Sequence, residues 1–457
     1  MKPNIILIIM DTVRADRLPM WGGKDTTPYL EKLCEEAIAY NNAIAPAPWT
    51  TPSHASIFSG LYPWEHNINM FEDHLGGRFY LISEMLSRAG YATLGITNNP
   101  WISSSFGFER GFQEFIEVFR KSRPRLLCDK IKKNLFIIDD GADYTNKHIK
   151  KFVQVKCKER PFFVFVNYME AHQPYYPKRP FHKKYITQGV WRCVLRNNKY
   201  LDDREEIFLG RKEIDPEDIG IIKKLYDSEI SYLDGKIGEL LDFLRQNDLF
   251  DETVVIVASD HGETFGETEI GEGRLVGHHF SLCNNLIKIP LIIKPIGNNA
   301  SKQIEVPVSL TCLHGAIKET LRTNEFPELQ NVETSRKNVM ASYITPPSYL
   351  KRTFKTLSAG NELLGPFKKN LRAIFSEDGR FKIIKDVVKN DIELFDLHED
   401  KVETNNVATQ GKYRQILDEL GHKLEESSRQ EKDVEREVSR GKADGLIRKQ
   451  LEDLGYL

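Results

Sequence analysis

The chain has 457 residues, 40% hydrophobic and 28% charged, with a formal net charge of -2. Such a composition supports a large buried core in one or two domains and argues against a disordered chain. The near-neutral balance gives no reason to expect nucleic acid, and six cysteines without a CxxC pair suggest neither a disulfide framework nor a thiolate zinc site.

The first apolar run, IILIIM (5–10), reads as a buried strand and is followed at once by Asp11. No signal-peptide pattern precedes it, and no run approaches the roughly 18 apolar residues of a membrane span. The expectation is a soluble, cytoplasmic protein without a transmembrane segment, with peripheral membrane contact left open. TPYLEKLCEEA (27–37) carries helical spacing. WTTPSHASIFSGLYP (49–63) contains a helix start rich in small residues, whose first backbone N–H groups and positive dipole end would favour an anion. LISEMLSRAG (81–90) is again helical, ATLGIT (92–97) is a strand ending at Asn98, and FFVFVNYM (162–169) is a strand leading to His172. A long amphipathic helix over 223–247 precedes TVVIVAS (253–259), which ends at Asp260 and His261, and then IPLIIKP (289–295) reads as one more strand.

Short buried strands alternating with helices predict an α/β sandwich with a mostly parallel central sheet, and in such sheets ligands bind beyond the carboxyl ends of the strands. Basic, irregular stretches at 121–135 and 178–213 interrupt the pattern and are expected to be insertions capping the crevice, either binding an anionic substrate or simply solvated. Residues 1–338 are therefore assigned to one catalytic α/β domain. Residues 339–410, with strand candidates LRAIFSEDGRFKIIKD and DIELFDLHED, are assigned to a smaller subdomain with an antiparallel sheet. Residues 411–457 form a charged helical tail. That tail suggests a partner contact, and homo-oligomerisation is left open.

Asp11, Asp260 and His261 are oxygen and imidazole donors placed directly after strands, and together with the Thr50 hydroxyl they suit one divalent cation. A cation beside a hydroxyl makes an alkoxide available near neutral pH and neutralises charge in a displacement, which makes Thr50 a nucleophile. His66, His74 and His314 read as satisfied core histidines, and Glu263 and Glu267 as helix-capping or solvated. The aspartate and histidine spacing of a second metal is absent around Asp227, so one metal is expected.

NIILIIMDTVRADRL, WTTPSHASIFSGLYPWEHNI, NYMEAHQPYYP, LYDSEISYLDGKIGELLD, VVIVASDHGETFGE, GHHFSLCNNLIKIPLII and ELFDLHEDKVETNNVA together resemble the sulfatase branch of the alkaline phosphatase superfamily, in order from residue 4 to about residue 407. The terminal IRKQLEDLGYL is similar to sulfatase-like chains as well. The resemblance implies an alkaline-phosphatase-like sandwich and a metal-dependent esterase. The family signature is Cys or Ser, any residue, Pro, any residue, Arg, with the cysteine matured to formylglycine; here it reads Thr50, Thr51, Pro52, Ser53, His54. Threonine cannot be matured in that way, and superfamily relatives with threonine are phosphodiesterases, nucleotide pyrophosphatases or phospho-group transferases.

The family's paired aspartates read Asp11 and Thr12, one carboxylate fewer, which leaves the metal open among zinc, manganese and calcium. His172 matches the histidine that contacts the oxyanion or protonates the leaving group, and His54, a titratable donor in place of the family's arginine, is expected to stabilise charge or move protons with it. His278 or His279 stands in place of the usual substrate lysine. Asn98 and Arg14 match positions of substrate contact, with loop anchoring as the alternative for Arg14. The resemblance thus implies a hydrolase or transferase of phosphate or sulfate esters, phosphodiester or phosphonate favoured, on a small-molecule, glycan or lipid-head-group substrate. Its competitors are a sulfatase with an unmodified hydroxyl and a catalytically silent anion binder.

Overall fold

The computed structural model describes residues 2–70, 73–121, 141–156, 160–187, 189–297, 301–332, 338–358, 361–429 and 445–453. An eight-stranded sheet runs through its middle in the order Lys302–Ile304, Ile38–Tyr40, Leu291–Lys294, Thr253–Ser259, Asn4–Met10, Phe162–Tyr168, Ala92–Thr97, Glu114–Glu117. The last five strands in that order are mutually parallel. Every residue of the strands beginning at Asn4, Ala92, Phe162 and Thr253 is buried. Apolar, β-branched runs of this kind have no face to offer water, so they settle at the centre of a sheet covered on both sides.

Helices supply the cover. The long helix Pro216–Gln246 starts at Asp215, whose side chain accepts the Glu217 N–H, and packs against Val190–Asp202, Pro28–Cys34 and Ala142–Lys156. Thr50–Ser59, Ile82–Arg88 and Cys312–Thr323 pack on one another as a second group. Leu291–Lys294 pairs antiparallel with both of its neighbours, so this run departs from the parallel pattern. The other expectation for the sheet holds: it is mostly parallel, with helices around it.

A separate four-stranded antiparallel sheet, Met340–Ile344, Asn370–Phe375, Phe381–Asp386 and Asp391–Asp396, follows in sequence order. Its Met340, Ile374, Ile383 and Leu394 share a small core with Tyr62, Trp64 and with Leu420 and Leu424 of the helix Arg414–Arg429. The first part of the charged tail is therefore docked on the protein rather than projecting from it.

The stretch 178–213 is not irregular. It holds the helices Val190–Asp202 and Arg204–Phe208, the first burying Val194, Asn197 and Tyr200. The expected insertion at 121–135 lies outside the described residues apart from Lys121. Among the described residues, no helix is long and apolar enough to cross a membrane.

Candidate active site

The register of the central strands brings four chain exits to one edge. Met10 lies opposite both Tyr168 and Ser259, and Thr97 opposite Asn167, so Asp11, Asn99 and Asp260 leave the sheet side by side. Immediately after Asp11 the chain turns sharply: Thr12 has φ 61°, a left-handed conformation that is an outlier for a β-branched residue. The turn is held by the Thr12 hydroxyl donating to the Ala171 carbonyl at 2.9 Å and the Thr12 N–H donating to Asp260 Oδ1 at 3.3 Å. Backbone strain of this kind collects at functional sites, where surrounding bonds over-determine it.

Thr50 is the first residue of the helix Thr50–Ser59, every residue of which is buried. No side chain caps this helix start, so its first N–H groups and the positive end of the dipole face the same edge as Asp11. The Thr50 hydroxyl lies 3.4 Å from His261 Nε2 and 3.4 Å from the amide nitrogen of Asn99.

Asp11, Asp260 and His261 each offer one ligand atom, and these atoms lie within 4.8 Å of one another. Each carboxylate is satisfied on one oxygen only. Asp11 Oδ2 accepts from Asn99 at 2.7 Å and Asn167 at 3.1 Å, and Asp260 Oδ1 accepts from the Thr12 and His261 N–H groups. Asp11 Oδ1 and Asp260 Oδ2, both fully buried, have no hydrogen-bond partner. His261 Nδ1 is 2.9 Å from the Gly262 carbonyl, which its hydrogen satisfies, while Nε2 stands 3.4 Å from Asp260 Oδ2 and 3.9 Å from Asp11 Oδ1. Burial, reinforced by the neighbouring His278, lowers the His261 pKa to about 3, so its ring is neutral and Nε2 carries a lone pair.

Burial and the adjacent Asp11 push Asp260 well above the usual carboxylate range. Against the same burial, His172, His261 and the two asparagine amides hold Asp11 below it. Two bare carboxylate oxygens and an imidazole lone pair facing one another are mutually unfavourable as they stand. The donor set fits a divalent cation.

Four histidine rings form a crescent beside this cluster. His278 is central, with ring centroids 4.6 Å from His261, 4.9 Å from His279 and 5.5 Å from His172. Its Nδ1 lies 3.3 Å from Glu263 Oε1. His279 instead sits among aromatic rings, 3.8 Å from Tyr349 and 5.8 Å from Trp49 between centroids. Burial lowers both rings well below the ordinary histidine pKa. Of the pair, His278 is therefore the one placed against the cluster. His172 Nδ1 is fixed on the Gln173 carbonyl at 2.6 Å.

His54 lies behind the cluster. Its Nδ1 bonds the Thr50 carbonyl one helical turn back at 2.9 Å and stands 3.5 Å from Asp260 Oδ2, while its ring packs edge-on against Phe108 and Phe165. Burial lowers its pKa to about 4, so the ring is neutral and does not replace the arginine charge of the signature; the expected charge-stabilising role of His54 is not supported by this placement.

Two expected substrate contacts face elsewhere. The Asn98 amide donates to the Asn167 carbonyl at 2.7 Å and to Thr145, on the side away from Asp11, and its neighbour Asn99 occupies the site. Arg14 donates through all of its N–H groups, to Asp16 twice, the Glu263 carbonyl, Glu267 and Asn285. No donor is left over for a substrate, and Arg14 anchors the loop.

Glu263 and Glu267 are not solvated caps. Glu263 is wholly buried beside His278, with burial raising its pKa to about 7. Glu267 lies in the strand Thr264–Ile270, where Arg14 and Lys223 outweigh burial and bring it to about 2. Asp227 is clamped by Arg17. His66 is buried and bonded to Ser56 and the Ile68 N–H, whereas His74 and His314 are only half-buried.

Asn99, Asn167 and Arg204 carry no expectation from the sequence. Asn167 alone had a visible signal, being the one polar residue in the buried run FFVFVNY. Arg204, at the start of its helix, reaches Gln173 at 3.2 Å and depresses His278 and His279 through its charge.

Residues 3–317 match the family model described as Sulfatase. Mouse iduronate 2-sulfatase is 26% identical over 306 residues, covering 58% of this chain and 55% of that enzyme. A low-salt glycan biosynthesis sulfotransferase of Haloferax volcanii is 26% identical over 292 residues, covering 63% of this chain and 53% of that protein. The chain thus spans about half the length of these two curated relatives. The crystal structure of a phosphonate monoester hydrolase from Agrobacterium radiobacter superposes with TM-score 0.70 at 18% identity, covering 94% of this chain and 96% of that one, a likeness of fold.

Proposed function

From the premise that the chain belongs to the sulfatase family, we propose that it is a metal-dependent hydrolase or group transferase acting on phosphate or sulfate esters, with Thr50 as nucleophile and phosphodiesters or phosphonates preferred. One observation carries this reading. A threonine hydroxyl stands at an uncapped helix start, 3.4 Å from His261 Nε2, beside the two bare oxygens of Asp11 and Asp260.

Asp11, Asp260, His261 and Thr50 would hold one divalent cation, zinc, manganese or calcium. When bound, the cation supplies charge neutralisation for the transferred group and a lowered pKa for the hydroxyl. The rest is the work of the chain. Thr50 Oγ1, its proton given up to solvent, forms the bond to phosphorus or sulfur as the ester oxygen departs and takes a proton in turn, and the helix dipole stabilises the anionic group at its N-terminus. His278, whose Nδ1 lies 3.3 Å from Glu263, and His172, whose Nδ1 lies 2.6 Å from the Gln173 carbonyl, are the rings assigned to hydrogen-bond the transferred group or protonate the leaving oxygen. Asn99 and Asn167 keep Asp11 ionised and oriented. Water or an acceptor alcohol then takes the group from Thr50.

The sulfotransferase among the relatives favours keeping transfer to an acceptor beside hydrolysis. A sulfatase acting through an unmodified hydroxyl is the second reading, favoured by the family match itself. Turnover of paired aryl esters, phosphodiester against sulfate, with added divalent metal and with Thr50→Ala as control, separates them. Faster diester cleavage that is lost in the variant is expected. Faster sulfate cleavage supports the second reading, and full activity in Thr50→Ala overturns the nucleophile in both.

A further inference from the structure

The helix Pro347–Thr353 has two occupied faces. On one, the Tyr349 ring packs against His279 at 3.8 Å between centroids, tilted by 33°. On the other, Pro347, Leu350 and Lys351 with Phe354 just beyond, at the i, i+3, i+4 and i+7 spacing of a single helical stripe, line a cavity of about 470 Å³. Leu357 and Leu364 extend the apolar wall. The volume lies in the range of small-molecule sites, which are characteristically apolar with a few polar groups placed to orient the ligand.

The charged groups in the lining all have one sign. Among the described residues, Lys351, Lys368 and Lys369 line the cavity and no carboxylate does. Lysine stems cover apolar surface, and although Lys369 acts on the nearby Glu393 carboxylate, the three lysines of the lining leave an excess of positive charge that favours an anion there. Val388, which also lines the cavity, is 77% exposed, so the apolar wall reaches the surface there.

We infer that this cavity binds the alkyl chain of an anionic amphiphile, the chain lying against Leu350, Phe354, Leu357 and Leu364 and the carboxylate, phosphate or sulfate head meeting the three lysines. The site is separate from the Thr50 chemistry and does not depend on it.

Calorimetry on the full chain with dodecanoate and decyl phosphate, below their aggregation concentrations, tests the inference. One molecule is expected to bind per chain. Octanoate should bind at least about ten-fold more weakly than dodecanoate, because each buried methylene contributes to affinity. Dodecanol, inorganic phosphate and acetate should bind far less than the two amphiphiles. Lys351→Glu and Lys369→Glu should each weaken dodecanoate about ten-fold, a change of about 1.4 kcal/mol, and Leu350→Trp should fill the cavity and abolish uptake. If Leu350→Trp fails to fold, the two lysine variants and the chain-length series decide. Equal affinity for octanoate and dodecanoate, or for wild type and both lysine variants, overturns the inference. Sedimentation with anionic vesicles without uptake of the free amphiphiles also overturns it, since the affinity then belongs to a bilayer surface and not to the cavity.

Discussion

Two buried charge clusters in this protein are built on opposite principles. In the first, Asp11 and Asp260 each keep one oxygen bare, and His261 turns a lone pair toward them. In the second, the Lys382 ammonium, its side chain fully buried, reaches the Leu282 carbonyl at 2.5 Å, Asn284 Oδ1 at 3.0 Å and Glu403 Oε1 at 2.6 Å, while Glu403 Oε2 accepts the Asn284 N–H. The second is complete within the protein. It ties the small sheet to the segment that carries His278 and His279. The first leaves two carboxylate oxygens without a partner, as expected if a cation is to fill it. Buried polar groups cost free energy unless paired, so the unpaired cluster marks where binding free energy is to be gained and the paired one marks where a loop is to be held.

The contrast can be broken at its most sensitive point by Thr50→Ala. Ester turnover should fall about a thousand-fold or more, since a missing nucleophile is not replaced by charge stabilisation alone, while the melting temperature stays near that of the wild type. Steady-state rates and a thermal melt on the same preparation check both halves. Next in size is the paired cluster. Glu403→Gln leaves the Lys382 charge buried without its counter-ion and should cost about 3 kcal/mol of stability, read from denaturant unfolding. The double variant Lys382→Met with Glu403→Leu should recover most of that loss. Its turnover should stay low, because the His278 segment loses its tie.

Asp260→Asn sharpens the contrast by reversing the sign. Removing one of two repelling carboxylates should stabilise the metal-free protein by about 1 kcal/mol. Zinc, manganese or calcium is expected to raise the melting temperature of the wild type, and the same change should remove that rise. A cluster built for internal stability would lose stability instead, as the Lys382 pair does.

The sequence made the central sheet visible because its strands are buried on both faces and read as unbroken apolar runs; Asn4–Met10 and Thr253–Ser259 leave no other reading. Direction was not visible. Leu291–Lys294 has the same composition as its parallel neighbours, and only the path of the chain makes it antiparallel. The helix Val190–Asp202 was hidden by its basic residues and by an asparagine, Asn197, on its buried face. At the site, residues directly after strands were legible by placement, as with Asp11, Asp260 and His261. Asn98 and Asn99 were not separable, because the strand pairing runs on through the Asn98 N–H to the Asn167 carbonyl, and so the next residue is the one that leaves the sheet. Glu263 was hidden for another reason: burial beside His278 comes from a hairpin, Thr264–Ile270 with Gly273–Gly277, whose polar sequence resembles a loop.

A third carboxylate lies between the two clusters in kind and acts as a dependence on pH rather than as a single loss. Asp234 is 1% exposed and accepts the Tyr29 and Leu30 N–H groups on its two oxygens, but among the described residues no cation pairs with it. Burial raises its pKa from 3.8 to about 7, an effect the two N–H bonds only partly offset. Between these values the unfolded chain ionises the group before the folded protein does, so the folded state binds more protons and stability falls as pH rises from 3.8 to about 7, then levels off. The slope from this group can reach at most about 1.4 kcal/mol per pH unit. Asp234→Asn cannot ionise, and it should flatten that part of a stability curve measured by urea unfolding at successive pH values, at the cost of one of the two backbone bonds. An unchanged slope in the variant would mean that Asp234 is ionised throughout, and that two N–H donors suffice to hold a buried carboxylate charged.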